Sequence, residues 1–342
     1  VGIGRGATEG ILIQNAEALE LLERVDTLVV DKTGTLTQGH PRLVSLQTAA
    51  DSDANAVLRL VASLERSSEH PLAEAVVQGA EARGLALSGA ESVRVFPGQG
   101  IVGRVEGHPV ALGNVSLLIR MGLAPGEWKG LADALGVKGQ TPMFAVVDGS
   151  VVGVLGVADP VRDASAAVVD ALKREGVRVA MLTGDNRVTA VAVANSLRID
   201  EVLANVLPGQ KADEIKRLQS SGHIVAMAGD GINDAPALAQ AHVGIAMGTG
   251  ADVAMACAGV TLVKGDLKGI LRARRLSRAT MTNIRQNLFF AFVYNAVGVS
   301  VAAGALYPAF GLTLSPMLAA AAMSCSSVSV IANALRLHRA KL

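Results

Sequence analysis

Three apolar runs in this chain stop at clusters of the same chemistry: TLVVDKTGT at 27–35, VAMLTGD at 179–185 and VAMAGDGIND at 225–234. Each run suits a buried strand, and the Gly, Thr and Asp residues behind it read as a turn. From about Val151 onward such runs alternate with amphipathic stretches, VRDASAAVVDALKREG, NRVTAVAVANSLR and PGQKADEIKRLQSSG among them. That rhythm predicts a parallel sheet with crossover helices. The last of these stretches is expected to open at Pro208, close at Gly222 and bury Ile215 and Leu218. In open α/β sheets ligands bind beyond the carboxyl ends of the strands. The three clusters are therefore expected on one edge, with Asp31 placed to meet a ligand.

Residues 41–147 interrupt this pattern with a helix of their own, ANAVLRLVASLERS, and Gly-punctuated strands such as IVGRVEGHPVALG. A block of this length predicts an inserted domain. Residues 98–103, GQGIVG, match GxGxxG, but strand-like alternation follows where a dinucleotide-binding helix would begin, so that reading is excluded. No GxxxxGK[ST] occurs. Residues 287–306 and 312–335 carry no charge, and each stretch is long enough to cross a hydrocarbon core of ~30 Å. Arg272, Arg274, Arg275, Arg278 and Arg285 before them, and Arg336, Arg339 and Lys341 after them, predict a hairpin with both ends cytoplasmic. The 50% hydrophobic content and mean hydropathy of +0.40 agree with a part in lipid, and a net charge of +1 gives no sign of a nucleic-acid partner. Two distant cysteines exclude a disulfide framework and a zinc ribbon; Cys257 is expected to be a small core residue.

A carboxylate at residue 31 can attack phosphorus and carry the phosphoryl group, splitting one displacement into two. Charge compensation would come from Mg²⁺ held by Asp31 and a second carboxylate such as Asp230, from Lys211, and from hydroxyls and amides of Thr33, Thr183 and Gly184. DKTGTLT, TGD, PGQK and GDGIND in this order resemble the phosphorylation domain of P-type ATPases, which has the haloacid-dehalogenase fold. The resemblance implies a doubly wound parallel sheet over 25–40 and 148–271, an inserted α+β nucleotide-binding domain over 41–147, and a transmembrane hairpin over 272–342. Residues 1–24 would be the end of a membrane helix and a linker. It further implies Asp31 as the phosphorylated nucleophile, Asp230 as a Mg²⁺ ligand with Asp31 and Thr33, and Asn233 and Asp234 in support. Thr183, Asp185 and Lys211 would contact phosphate or nucleotide. Soluble phosphatases of this fold resemble DxD, whose second Asp shuttles a proton during hydrolysis; Thr33 stands there, so the acyl-phosphate should persist. Lys32 is expected to be solvated or to support the backbone.

SEHP with the upstream Glu65, and FPGQG, resemble the nucleotide-binding domain of the heavy-metal branch. That resemblance implies that Glu65 and His70 meet adenine, that Gly98 and Gly100 let ATP approach, and that Gly113 and Asn114 form a further element. Glu106, Asp133 and scattered arginines read as solvated faces. In the hairpin, Tyr294, Asn295, Met323, Ser326 and Ser327 are polar or soft groups at comparable depth, Met323 and Ser327 being i, i+4. Helix packing explains small polar residues equally well. YN followed by MxxSS resembles the last two helices of copper-exporting P-type ATPases, which implies transport of Cu⁺, with a copper chaperone as an expected donor. Zinc-type relatives place a Lys and an Asp in these helices, and neither occurs here.

The Cys-Pro-Cys motif and TGE loop of the family do not occur in this sequence. The chain is therefore expected to be one part of a multi-pass protein of the cell or inner membrane, partnered by the N-terminal remainder, with cytoplasmic catalytic domains. Alternatives are a pump for Ag, Zn or Co, a membrane-anchored phosphatase of the haloacid-dehalogenase type, and a non-enzymatic nucleotide sensor.

Overall fold

A computed structural model describes residues 1–248, 250–305 and 316–339. The chain divides into two compact units, residues 29–211 and residues 1–28 with 212–342. The division falls inside β2 (Thr27–Asp31), and elements are numbered along the chain.

The unit of residues 29–211 contains a six-stranded antiparallel sheet. Its order is β3 (Arg42–Thr48), β8 (Ser150–Ala158), β7 (Thr141–Val147), β6 (His108–Gly113), β5 (Gly100–Val105) and β4 (Ala90–Phe96). Strand alternation divides its apolar residues between two faces. Ile101, Leu112, Ala145 and Leu155 pack on one face with Leu58, Val61 and Leu64 of α3 (Ala54–Glu65) and Val76 of α4 (Pro71–Glu81). Ala111, Phe144, Val146 and Val154 pack on the other with Leu117 of α5 (Val115–Arg120) and Leu135 of α6 (Trp128–Val137). Three of these helices have side-chain N-caps, Asp53, His70 and Asn114, and Pro71 occupies the first turn of α4.

β8 departs from the sequence reading, which begins the parallel sheet at about Val151. It pairs antiparallel with β7 because Asp148 and Gly149 adopt φ +51° and +80° and close a two-residue hairpin, so the expected boundary at 147/148 falls within that hairpin. The same unit holds a parallel pair, β9 (Arg178–Leu182) and β10 (Glu201–Leu203), with the last residues of β2 beside β9. α7 (Ser165–Arg174) and α8 (Arg187–Ser196) accompany this pair.

In the other unit the strand order is β1 (Ile11–Ile13), β13 (Val260–Leu262), β12 (Val243–Met247) and β11 (Val225–Gly229), with the first residues of β2 beside β11. β11, β12 and β13 run parallel, and β1 lies antiparallel on β13. β11 and β12 are buried throughout, which is why they read as unbroken apolar runs. α9 (Lys211–Ser220) buries Ile215 and Leu218 as expected. Residues 1–24 are not a linker: α1 (Gly2–Thr8) leads into β1, and α2 (Ala16–Arg24), capped by Asn15, buries Ala18, Leu19 and Leu22.

α12 (Lys268–Ala302) starts within this unit. Arg274, expected as a membrane-flanking charge, is buried and donates to the carbonyl oxygens of Leu22 (3.1 Å) and Val25 (2.7 Å), satisfying the C-terminal end of α2. Arg285 forks onto the Glu23 carboxylate at 3.0 and 2.9 Å. Among the described residues no helix is long and apolar enough to cross a membrane. In α12 the charge-free part runs from Gln286 to Ala302, 17 residues or ~26 Å of helix, and residues 306 and 312–315 of the expected spans lie outside the described residues. α12 meets α13 (Pro316–Leu335) through amides: Asn283 Nδ2 donates to the Asn333 carbonyl oxygen at 2.7 Å, and Asn333 Nδ2 to Asn287 Oδ1 at 2.9 Å.

Candidate active site

Asp31 ends β2 and opens a wide turn, Lys32–Leu36, closed by the Thr37 N–H donating to the Lys32 carbonyl oxygen at 3.1 Å. Gly34 makes this path possible by taking φ +73°. Asp31 is 6% exposed, a depth at which a carboxylate needs a countercharge or donors. It has both. Lys211 Nζ, also buried, donates to Oδ1 at 2.6 Å, and the Thr33 N–H donates to Oδ2 at 3.1 Å. Lys211 is held in place because the tight turn Pro208–Gln210 passes directly into α9 at that residue.

Thr183 and Asp185 follow β9, where the Asp185 N–H donates to Thr183 Oγ1 at 3.1 Å and Gly184 lies exposed between them. Lys32 is neither solvated nor a backbone support. It is buried, and its ammonium lies 2.7 Å from Asp185 Oδ2, so it ties the turn after β2 to the loop after β9.

Two supporting residues escaped the sequence reading. Thr37 Oγ1 donates to Asp159 Oδ2 at 2.5 Å, and the Gly39 N–H donates to Asp159 Oδ1 at 3.0 Å. Arg162 donates to the carbonyl oxygens of Thr37 (2.7 Å) and Gly34 (2.8 Å). Asp159 follows the end of β8, so the rule that singled out Asp31, a carboxylate at a strand's carboxyl end, was also its signal.

In the unit of residues 1–28 and 212–342, Asp230 follows β11. Asp234, 2% exposed, accepts the N–H groups of Asp230 (3.3 Å) and Gly231 (3.1 Å) at Oδ2 and so fixes the loop that presents Asp230; Asn233 is exposed. The Ala251 N–H donates to the Asp230 carbonyl oxygen at 2.8 Å, and a Cβ at Gly250 would lie 2.2 Å from that oxygen. Gly250 is a further residue that the sequence reading missed.

The six residues predicted to bind nucleotide line one cavity of about 190 Å³ in the unit of residues 29–211: Glu65, His70, Gly98, Gly100, Gly113 and Asn114. Glu65 ends α3 and is 4% exposed, and burial pushes its carboxyl up to about 7. His70 caps α4, its Nδ1 accepting the Leu72 N–H at 3.1 Å, so Nε2 carries the proton of the neutral ring. Asn114 Oδ1 caps α5 through Ser116 (2.9 Å) while its Nδ2 donates to the Gly98 carbonyl oxygen at 2.8 Å. Gly100 and Gly113 also meet backbone closely: a Cβ on either would lie 2.3 or 2.4 Å from a carbonyl oxygen, of Leu112 and Gln99 respectively. Glu106 is exposed, as expected of a solvated face, and is held there by Arg59 and Ser88.

On the helical pair, Tyr294, Asn295, Met323 and Ser327 are exposed and Ser326 is half-buried. Ser327 Oγ donates to the Met323 carbonyl oxygen at 3.2 Å, one turn back on the same face. Cys257 is exposed rather than in the core, as is Cys325.

A family model described as haloacid dehalogenase-like hydrolase matches residues 25–242. The chain is 58% identical over 342 residues to a copper-transporting P-type ATPase of Rhizobium leguminosarum bv. viciae, covering 100% of this chain and 41% of that protein. It is 53% identical to a silver exporting P-type ATPase of Salmonella typhimurium, of which it covers 42%. The chain thus spans about two fifths of the length of these relatives. A crystal structure of a zinc-transporting PIB-type ATPase in the E2.Pi state superposes with a TM-score of 0.79 at 37% identity, covering 98% of this chain and 54% of that one.

Proposed function

We propose that this chain, which belongs to the haloacid dehalogenase-like hydrolases, accepts the terminal phosphoryl group of ATP on Asp31 as the catalytic part of a Cu⁺-exporting P-type ATPase. The observation that carries this reading is the buried Asp31 carboxylate, charge-matched by Lys211 at 2.6 Å at the carboxyl end of a strand.

In this mechanism one Asp31 oxygen attacks the γ-phosphorus, the bond to the β,γ-bridging oxygen breaks, and ADP leaves with that electron pair. Lys211 stabilises charge on the transferring group, as do amides of the turn after Asp31 and of Thr183 and Gly184. The carboxylates of Asp31 and Asp230, with Thr33, are hard oxygen donors that suit Mg²⁺. When bound, that ion neutralises phosphoryl oxygens. Asp234 positions Asp230, and Lys32 positions Asp185 for phosphate or ribose. The Thr33 side chain has no group that takes up a proton near neutrality, so hydrolysis of the acyl-phosphate lacks a local base and the intermediate persists long enough for a conformational change. Adenine occupies the cavity lined by Glu65 and His70.

For the transported ion, the reading rests on the copper-transporting relative and on the thioether of Met323 among the amide, phenol and hydroxyl oxygens of Asn295, Tyr294, Ser326 and Ser327, a soft set suited to a monovalent ion. The silver-exporting relative supports Ag⁺ as a second substrate of the same chemistry. The exposed Phe289, Phe292, Val299, Val328 and Ile331 on α12 and α13 form an apolar surface that lipid would cover, which supports a membrane-embedded hairpin. The test is acid-trapping of radiolabel from γ-labelled ATP in the intact protein with Mg²⁺ and Cu⁺. A hydroxylamine-labile label that Asp31→Asn abolishes, with nucleotide binding retained, is expected; label that survives the substitution overturns the assignment.

A further inference from the structure

Glu65 combines two properties that the phosphoryl chemistry leaves unexplained. It is 4% exposed, and among the described residues nothing hydrogen-bonds its carboxyl. The other titratable residue lining the cavity is His70, whose Nδ1 is already held by the Leu72 N–H. Charged groups on the elements packed against α3 line the cavity nowhere: Glu74 and Glu81 of α4, Arg42 of β3, Glu91 and Arg94 of β4, Arg104 of β5 and His108 of β6. Arg120 of α5 stands nearby, with its Nε 2.7 Å from Gln99 Oε1 and its guanidinium 4.9 Å from the centre of the Phe96 ring.

A neutral carboxylic acid and a carboxylate present different patterns to a base. The acid offers one O–H donor beside one acceptor; the carboxylate offers two acceptors. Adenine presents on its Watson–Crick edge an acceptor, N1, beside a donor, the N6 amino group. Guanine presents two donors side by side, N1–H and the N2 amino group. We propose that Glu65 selects the purine through its protonation state: as the neutral acid it donates to adenine N1 and accepts from N6–H, and as the carboxylate it accepts from guanine N1–H and N2–H.

The proposal deepens the reading of this cavity as the nucleotide site and rests on it. A buried carboxyl without a countercharge stays neutral to higher pH than an exposed one, and here the changeover lies at about 7. Adenine affinity then follows the neutral fraction, and guanine affinity follows the rest. A site that pairs with both edges of one base leaves polar atoms unpaired against the other, which is the source of strong discrimination.

Calorimetric titration of the 342-residue chain with the β,γ-methylene analogues of ATP and GTP at pH 6 and pH 8.5 tests this. The ratio of the two affinities cancels titration of the phosphates, which both analogues share. The ratio is expected to fall at least roughly thirty-fold toward high pH, the change in neutral fraction across a midpoint of about 7. Glu65→Gln keeps one donor and one acceptor at every pH, so its ratio is expected to favour the ATP analogue and to be flat. Two outcomes overturn the proposal while leaving the nucleotide site standing. One is a flat ratio in the unaltered chain with both analogues binding; the other is pH dependence that survives Glu65→Gln and therefore belongs to His70. Absence of binding by either analogue removes the nucleotide reading itself, and the selectivity with it.

Discussion

Asp31 and Glu65 are both nearly fully buried carboxyls in the same unit, and the chain treats them in opposite ways. Around Asp31 it places an ammonium at 2.6 Å and a backbone N–H at 3.1 Å, a countercharge and a donor for the carboxylate. Around Glu65 the described residues place neither, and desolvation alone keeps the group protonated up to about 7. The surroundings, not the residue type or the depth, decide what a buried acid does.

The strongest way to break this contrast is to remove the ammonium. Lys211→Met removes that ammonium from beside the buried Asp31 and is expected to cost about 3–5 kcal/mol of stability. The single tryptophan, Trp128, whose indole N–H donates to the Val151 carbonyl oxygen at 3.1 Å, reports on the same unit, so urea denaturation followed by its fluorescence measures the effect. A loss below about 1 kcal/mol would mean that Asp31 does not depend on the pair.

Glu65 predicts a smaller effect with a fixed sign. Its folded pKa of about 7 lies above the ordinary glutamate value of 4.5, so the native state holds a proton that the unfolded state has lost between those values. Its contribution is complete below pH 4.5, declines as pH rises and is gone above pH 7, a total of ~3 kcal/mol. Comparing Glu65→Gln with the unaltered chain at pH 5 and pH 8 isolates that slope, which the variant should lack. Equal slopes in the two proteins would show that Glu65 finds a partner. The smallest effect concerns the wall of the cavity. Asn114→Ala removes the α5 cap and the tie to Gly98, for about 1 kcal/mol. Asn114→Asp keeps the cap but sets a carboxylate oxygen against the Gly98 carbonyl oxygen in place of the tie, so weaker binding of the ATP analogue in both variants would assign the effect to the Gly98 contact.

Much of both sites was legible along the chain, for different reasons. Asp31, Thr183 and Asp230 stand immediately behind apolar strands, and in parallel sheets that position is an address. Glu65 and His70 stand at a helix end and a helix cap, which local sequence also marks. What was not legible involves partners far apart in sequence. Lys32 meets Asp185 across 153 residues and Arg162 meets Gly34 across 128. β8 was misassigned because an apolar strand reads alike in a parallel or antiparallel sheet; the Asp148–Gly149 turn was the available signal. Arg274 resembled a membrane-flanking charge, yet it closes the end of α2, a role invisible until both helices exist.

The sequence by itself determined the element types, the residues at the strand ends and the chemistry available there, because those follow from periodicity, turn residues and side-chain identity. Only the tertiary structure decided which of these groups gains a countercharge. Ionisation of a buried acid depends on donors within about 3 Å, and the donor that matters most here arrives from far along the chain: Lys211 reaches Asp31 over 180 residues, and no described residue hydrogen-bonds the Glu65 carboxyl.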